Sequence, residues 1–514
     1  MPPPVVLVVE CFILLRKKVN GMTQIWKRRA ITGWAVGIWC ALSVGSPTHS
    51  YSADPVEYLL VSGSTEKLSA VRESLDTANC TVVSELPQIG MLVVQSTDNQ
   101  FLADFTKTNS GVKAIPNLEI QWTPNILSSD LSEEELELSE SLESPPPNDE
   151  DDFLAFAQWG LDAIDAPEAW AVGATGAGVR VAVLDSGIDW SHPDLFDNLN
   201  PVVSESFVPG EPFYRTLPGF SHGTHVAGII AASNNAIGTV GVAHEAEIIG
   251  IKVLRDSTGS GAFSWILAGI LYAADNKADV INMSLGGEFS RRGGFFDPGT
   301  PDDKSDDIRL TRFIADIHHA FNRATSYAHQ KGALIVASAG NDGVNGERDE
   351  DRLVLPRDAP HVISVSATAP EGWAKEFDAT DLPASYSDTG SSVIDLAAPG
   401  GDFDYPGNEF CSVLIISPRP CFIFDGVISP GGYRSTPGGN RSIWSWATGT
   451  SMAAPHVSGV AALIISQSNG ELPPSAVEAA LRAGAVDLGK PGRDDAYGLG
   501  RVNAFLSTVS ATRN

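Results

Sequence analysis

Four nearly unbroken apolar runs constrain this chain more than any other feature. They are VRVAVLD (179–185), AEIIGIKVL (246–254), DVINMSLGG (279–287) and ALIVASAGN (333–341). Each has the length of a strand and none alternates polar with apolar residues, so each reads as a strand buried on both faces. Between them lie SWILAGILYAADNKA and FIADIHHAFNRATSYAHQKG, whose apolar residues recur at helical spacing. Buried strands separated by helices predict an α/β domain with a parallel sheet flanked by helices, beginning near residue 153. Ligand sites on such sheets lie beyond the carboxyl ends of the strands.

Three polar residues stand at the ends of these apolar elements. Asp185 ends VRVAVLD, His222 opens HGTHVAGIIAA and Ser451 opens SMAAPHVSGVAALII. A serine hydroxyl is a weak nucleophile until an imidazole takes its proton, and a carboxylate must hold that imidazole in the right tautomer. Singly, each has an ordinary reading: a turn cap, a satisfied turn histidine and a helix cap. Jointly, those readings require three coincidences. Asp189, Asp194 and Asp197 compete with Asp185, but only Asp185 ends the buried strand directly. His225 lacks the spacing and glutamate of a zinc-protease helix, which leaves it a packing role.

VAVLDSGIDWSHPDL, SHGTHVAG, SAGNDG and GTSMAAPHVSG resemble the Asp, His, oxyanion and Ser motifs of the subtilisin-like serine proteases, in that family's order. The resemblance runs from about Gln158 to YGLGRVNAF near the C-terminus. It implies a subtilisin-like fold and peptide-bond hydrolysis, with Asp185 orienting the imidazole, His222 as general base and acid, and Ser451 as nucleophile. Asn341 would join the Ser451 amide in binding the oxyanion. Ser284, Leu285 and Gly286, with Ser338, Ala339 and Gly340, would flank an extended substrate and line the primary pocket. Neither segment is charged, which points to an uncharged or apolar side chain there, with Asp342 at the rim able to admit a basic one. SNNAIGTVG resembles the family's calcium loop. The side chains of Asp194 and Asn235 and the carbonyls of Ser233, Ile237 and Thr239 would make a hard oxygen cage, against the alternative of an Asn-rich turn. No organic cofactor is implied. GTSMA also resembles the nucleophile elbow of an α/β-hydrolase, but that fold needs a histidine well beyond the serine, and only His456 follows.

The remaining chain reads as separate modules. Residues 1–53 hold two apolar runs, and the second follows Lys27, Arg28 and Arg29, the pattern of a signal peptide starting near Met22. A membrane anchor is the alternative, but the run is short and broken by glycines. Export to a secreted or periplasmic location follows. Residues 54–127 show a βαββαβ order, a ferredoxin-like arrangement, and are similar to the family's propeptide, which implies an intramolecular inhibitor. Residues 128–152 hold eleven acidic residues and no basic one, which predicts an extended, self-repelling linker. The peptidase domain, 153–514, carries insertions at about 288–312 and 402–441, which either restrict access to the cleft or project away from it. Cys411 and Cys421 flank SVLIISPRP, and an oxidising compartment favours a bridge between them over two free thiols. The net charge of −29 argues against nucleic acid or an anionic membrane as partner. The expected partners are polypeptide substrates and the chain's own propeptide, on a monomeric enzyme with no stable membrane span. A catalytically silent relative that binds peptides through the same edges is the alternative.

Overall fold

The computed structural model describes residues 55–512, apart from 76–79, 99, 110, 124–125, 133–134, 136–153, 215, 294, 297–307, 350, 376–378, 405–406, 408, 414–415 and 469–471. The signal-peptide reading falls outside the described residues.

All four apolar runs form strands of one eight-stranded sheet. Its order in space is Leu382–Pro383, Val362–Ala369, Leu334–Ser338, Val280–Met283, Arg180–Asp185, Glu247–Lys252 and Glu205–Ser206, with Leu396–Pro399 also beside Val362–Ala369. The interior pairings are parallel. Alternation along each strand feeds two cores. Val181 and Val183 face the helices His222–Ala231 and Thr450–Ser466, while Ala182 and Leu184 face Phe263–Asp275 and Leu310–Gln330. Cover on both faces is why these strands carry no polar side.

The N-terminal region folds as strand, helix, strand, strand, helix, strand, with the antiparallel order Cys80–Leu86, Met91–Ser96, Val56–Val61, Lys113–Pro116. One face packs on its own helices, through Leu60, Leu92 and Val94 against Leu68, Val71 and Phe105. The other face places Leu59, Met91 and Val93 in the same core as Ile317 and Phe321 of the large domain. Asn117 ties the two regions at the start of Phe263–Asp275: its Oδ1 accepts from the Ser264 amide at 3.1 Å and its Nδ2 donates to Ser264 Oγ at 2.8 Å.

The second insertion builds a hairpin, Val427–Thr436 with Gly439–Ala447, flanked by Gly219–Phe220 and Ser128–Asp130 in a four-stranded sheet. A smaller hairpin, Phe410–Val413 with Ile416–Pro420, precedes it, and Cys411 is bonded to Cys421 with Cα atoms 4.9 Å apart. The expected free linker over 128–152 is therefore corrected at its start. Ser128–Asp130 is a paired strand and Glu135 is buried, because the insertion supplies partners that composition could not reveal.

Candidate active site

Polar residues gather at the carboxyl ends of the central strands. Asp185 closes Arg180–Asp185, and helix His222–Ala231 starts opposite it. His222 Nδ1 lies 2.7 Å from Asp185 Oδ1 and 2.9 Å from Oδ2. The Ser186 amide donates to the same Oδ1 at 2.7 Å. Gly223 permits the approach, since a Cβ there would lie 2.3 Å from the Gly187 carbonyl oxygen and 3.1 Å from Asp185 Cβ. A carboxylate at Nδ1 keeps the proton there and leaves Nε2 as the basic nitrogen. That Nε2 is buried and has no hydrogen-bond partner.

Ser451 lies in the first turn of Thr450–Ser466. Its Oγ donates to the Ser284 carbonyl at 3.3 Å rather than to His222, so the hydroxyl rests on a neighbouring acceptor. Asn341 is fixed from the same helix: the Thr450 amide and Oγ1 donate to its Oδ1 at 2.9 and 2.7 Å, which turns its NH₂ elsewhere. A Cβ built on Gly449 would be 3.5 Å from Asn341 Nδ2 and 3.6 Å from the Ser451 amide nitrogen. Two donors thus flank one spot beside Ser451, kept open by glycine.

A cavity of about 320 Å³ adjoins this spot, lined by Leu285, Gly286, Ser338, Gly340, Asn341 and Ser451. Ser284 and Ala339 do not line it. Ser284 stands behind Ser451, and the Ala339 carbonyl accepts from Arg357 Nη1 at 2.7 Å. Asp342, expected at the rim, lines the cavity, and so do Glu288 and Arg352, which the sequence reading did not name. Arg352 Nη2 donates to Asp342 at 2.6 Å and Glu288 at 2.8 Å, and Nη1 donates to Asp388 at 2.6 Å. Arg357 Nη1 also reaches Asp388, at 3.4 Å, so three carboxylates meet two guanidiniums. Burial pushes the Asp342 carboxyl up, against the pull of Arg352. Arg352 escaped sequence reading because it lies in the charged stretch ERDEDR, far from every motif.

Val354 and Thr450 complete the lining together with Gln121, Trp122 and Thr123 from the end of the N-terminal region. Glu119–Gln121 pairs antiparallel with Ser260–Ala262. The Trp122 amide donates to the Gly259 carbonyl at 3.1 Å, and the Gly286 amide donates to the Trp122 carbonyl at 2.8 Å. The Trp122 indole is buried and its Nε1 donates to the Gly261 carbonyl at 2.8 Å.

Two side-chain oxygens of the proposed calcium loop accept hydrogen bonds from the chain itself. Asp194 Oδ2 accepts from the Thr239 amide, Thr239 Oγ1 and Trp444 Nε1, at 2.9, 2.9 and 2.7 Å. Asn235 Oδ1 accepts from the Ile237 amide at 3.1 Å. Asp194 Oδ2 and Asn235 Oδ1 are committed to N–H and O–H donors, and the Trp444 indole comes from the strand at the end of the second insertion to meet Asp194. Among the described residues no three His, Cys, Asp or Glu side chains cluster as metal ligands.

Lys252 was also missed, a lone lysine at the end of an apolar run. It is fully buried beside Asp185 in the parallel ladder, donates to the Ser186 carbonyl and lies 3.2 Å from Glu211 Oε2. Burial pushes its ammonium down while Asp256 and Glu211 hold it up. His225 is buried with Nε2 on the Ser445 carbonyl at 2.9 Å, and His456 has Nδ1 on the Met452 carbonyl at 2.8 Å. His225 and His456 each direct one ring nitrogen to a backbone carbonyl, whereas His222 pairs with a carboxylate.

Residues 176–500 match peptidase S8, the subtilase family. The chain belongs to the subtilase family. This subtilase is 37% identical over 325 residues to subtilisin E of Bacillus subtilis, across 62% of its own length and 65% of the relative's. It thus spans less than two thirds of that relative. It is 35% identical over 352 residues to subtilisin Savinase of Lederbergia lenta, across 68% of its own length and 98% of the relative's. Its fold is shared with the epidermin leader peptide processing serine protease of Staphylococcus aureus, at a TM-score of 0.65 and 20% identity, covering 90% of this chain and all of that one.

Proposed function

We propose that this subtilase is an exported serine endopeptidase that cleaves polypeptides through an acyl-enzyme. The single observation that carries the reading is the Asp185–His222 pair, which leaves His222 with a buried, unpartnered Nε2. Ser451 Oγ would leave the Ser284 carbonyl by rotation about its side chain, pass its proton to Nε2 and attack the substrate carbonyl. The oxyanion would meet the Ser451 amide and Asn341 Nδ2, donors that need no reorganisation as charge develops. Imidazolium would then protonate the leaving amine, and water would repeat the sequence in reverse. The negative cavity suits an uncharged or basic side chain before the cut.

In the same reading residues 54–127 are the propeptide and inhibitor. An extended segment adding a strand to Ser260–Ala262 and bonding Gly286 is how a peptide would enter this groove. The maturation cut would then fall between Thr123, which shares the cavity with Ser451, and Ile126. Export rests on the leader. Among the described residues no helix is long and apolar enough to cross a membrane.

Ser451→Ala should abolish covalent labelling by a fluorophosphonate probe and leave the chain at full length. Undiminished labelling of that variant would remove Ser451 as nucleophile. The silent-relative reading draws on the Ser451 hydroxyl resting on Ser284, and a native chain that never labels would decide in its favour.

A further inference from the structure

Downstream of the groove the chain stays bound to the protein. Ile126 packs against the core that holds Met452 and Ala453. Ser128–Asp130 then adds antiparallel to the edge of Gly439–Ala447, and Ser445 Oγ donates to Asp130 Oδ1 at 2.7 Å. That strand leads within three residues to the helix of Ser451. Leu131, 1% exposed, enters an apolar cluster with Ile416, Phe424, Trp444 and Trp446, all supplied by the insertion and its flank.

Glu135 is the second anchor and is 3% exposed. Arg419 Nη2 lies 2.6 Å from both of its oxygens, and the amides of Ser417 and Ser132 donate at 2.7 and 2.6 Å. The Arg419 guanidinium lies over the Trp446 ring, 4.6 Å from its centroid. A carboxylate is buried at a large desolvation cost unless fully paired. Burying one member of an acidic run that solvent would accommodate freely needs a reason, and the insertion provides a site already satisfied for it.

We propose that residues 416–447 build a binding site for an extended peptide segment bearing a carboxylate, on the leaving-group side of Ser451. Its resident ligand is residues 126–132 together with Glu135. The proposal rests on reading 119–123 as the acyl side of an internal cut. The chain is then held as an added strand on both sides of the nucleophile, by Ser260–Ala262 before the cut and by Gly439–Ala447 after it. Cutting therefore does not by itself open the cleft. The new N-terminus stays seated, and a substrate must displace it or a later cleavage must remove it.

Hydrogen exchange on the full chain tests the site without any need for activity. In a Ser451→Ala background, amides of 128–131 should exchange at least tenfold more slowly than in chains also carrying Glu135→Gln or Arg419→Gln. Strands 56–61 and 91–96 should stay equally protected in all three, which reports that the variants fold. Equal exchange of 128–131 in the three chains overturns the site. In the native chain, mass spectrometry locates the cut, and 128–131 should remain slow after it; protection lost on cutting overturns the retained ligand. Glu135-dependent protection without any cut between Thr123 and Ile126 would sink the maturation reading and leave the site standing.

Discussion

The hydroxyl of Ser284 donates to the carbonyl of Ser451 at 2.8 Å, and Pro455 is the reason that carbonyl is available. Four residues beyond Ser451, Pro455 has no N–H to return the helical hydrogen bond. The first turn of the nucleophile's helix is therefore pinned to the sheet by a side chain instead of by its own ladder. Ser284→Ala should leave that buried carbonyl unsatisfied, a cost of about 1–3 kcal/mol. Thermal unfolding should begin earlier and fluorophosphonate labelling should slow; unchanged values for both would show that the contact holds nothing in place.

Gly223→Ala tests the Asp185–His222 approach. The added Cβ would meet the Gly187 carbonyl oxygen at 2.3 Å, a backbone atom that cannot swing aside. The helix must retreat and carry His222 from its carboxylate. Displacement of a reacting group by about 1 Å is enough for a loss of roughly 10²-fold. The labelling rate should fall by that order while the chain stays folded by circular dichroism. A native labelling rate would show that the site tolerates the shift.

Asp194 makes a separate test. Trp444 and Thr239 hold the loop by donating to one oxygen of its carboxylate. A calcium chelator should leave the melting temperature where it is, whereas Trp444→Phe should lower it through a buried acceptor that has lost a donor, about 1–3 kcal/mol. A drop on chelation with the native indole in place would reverse this assignment.

Acid should destabilise the fold between pH 6.5 and about 4. Burial holds His192 and His456 at about 4 and His225 at about 3, against 6.5 for an unburied histidine. The unfolded chain therefore takes up these protons first as pH falls, and stability rises with pH across that window. Asp256 and Asp425 oppose the trend. Burial lifts each from 3.8 to about 6, so their contribution is present at low pH and lost as pH rises through 6. Three displaced histidines outweigh two displaced carboxylates. Melting temperature should climb from pH 4 to 6.5, and His225→Gln should flatten the climb; a flat profile in the native chain would contradict the buried neutral histidines.

The central strands were legible because burial on both faces removes every polar residue from a strand, a pattern few other environments impose. Asp185, His222 and Ser451 were legible for the complementary reason, as polar residues stranded at the ends of apolar elements. Pairing of Asp185 with His222 still had to wait for the fold, since it depends on a glycine that lets a helix close on a strand from 37 residues away. Of the charged lining, Asp342 was expected beside Asn341, whereas Glu288 and Arg352 were hidden because they come from segments with no shared pattern. Trp444 at Asp194 and Arg419 at Glu135 were hidden in the same way.

Sequence alone determined the strands and the helices between them, because local periodicity and solvent exclusion are written residue by residue. Tertiary structure alone decided which carboxylates are solvated and which are buried. That choice depends on partners brought from far along the chain, which seat the start of an apparent acidic tether as a strand and bring the Trp444 indole to Asp194.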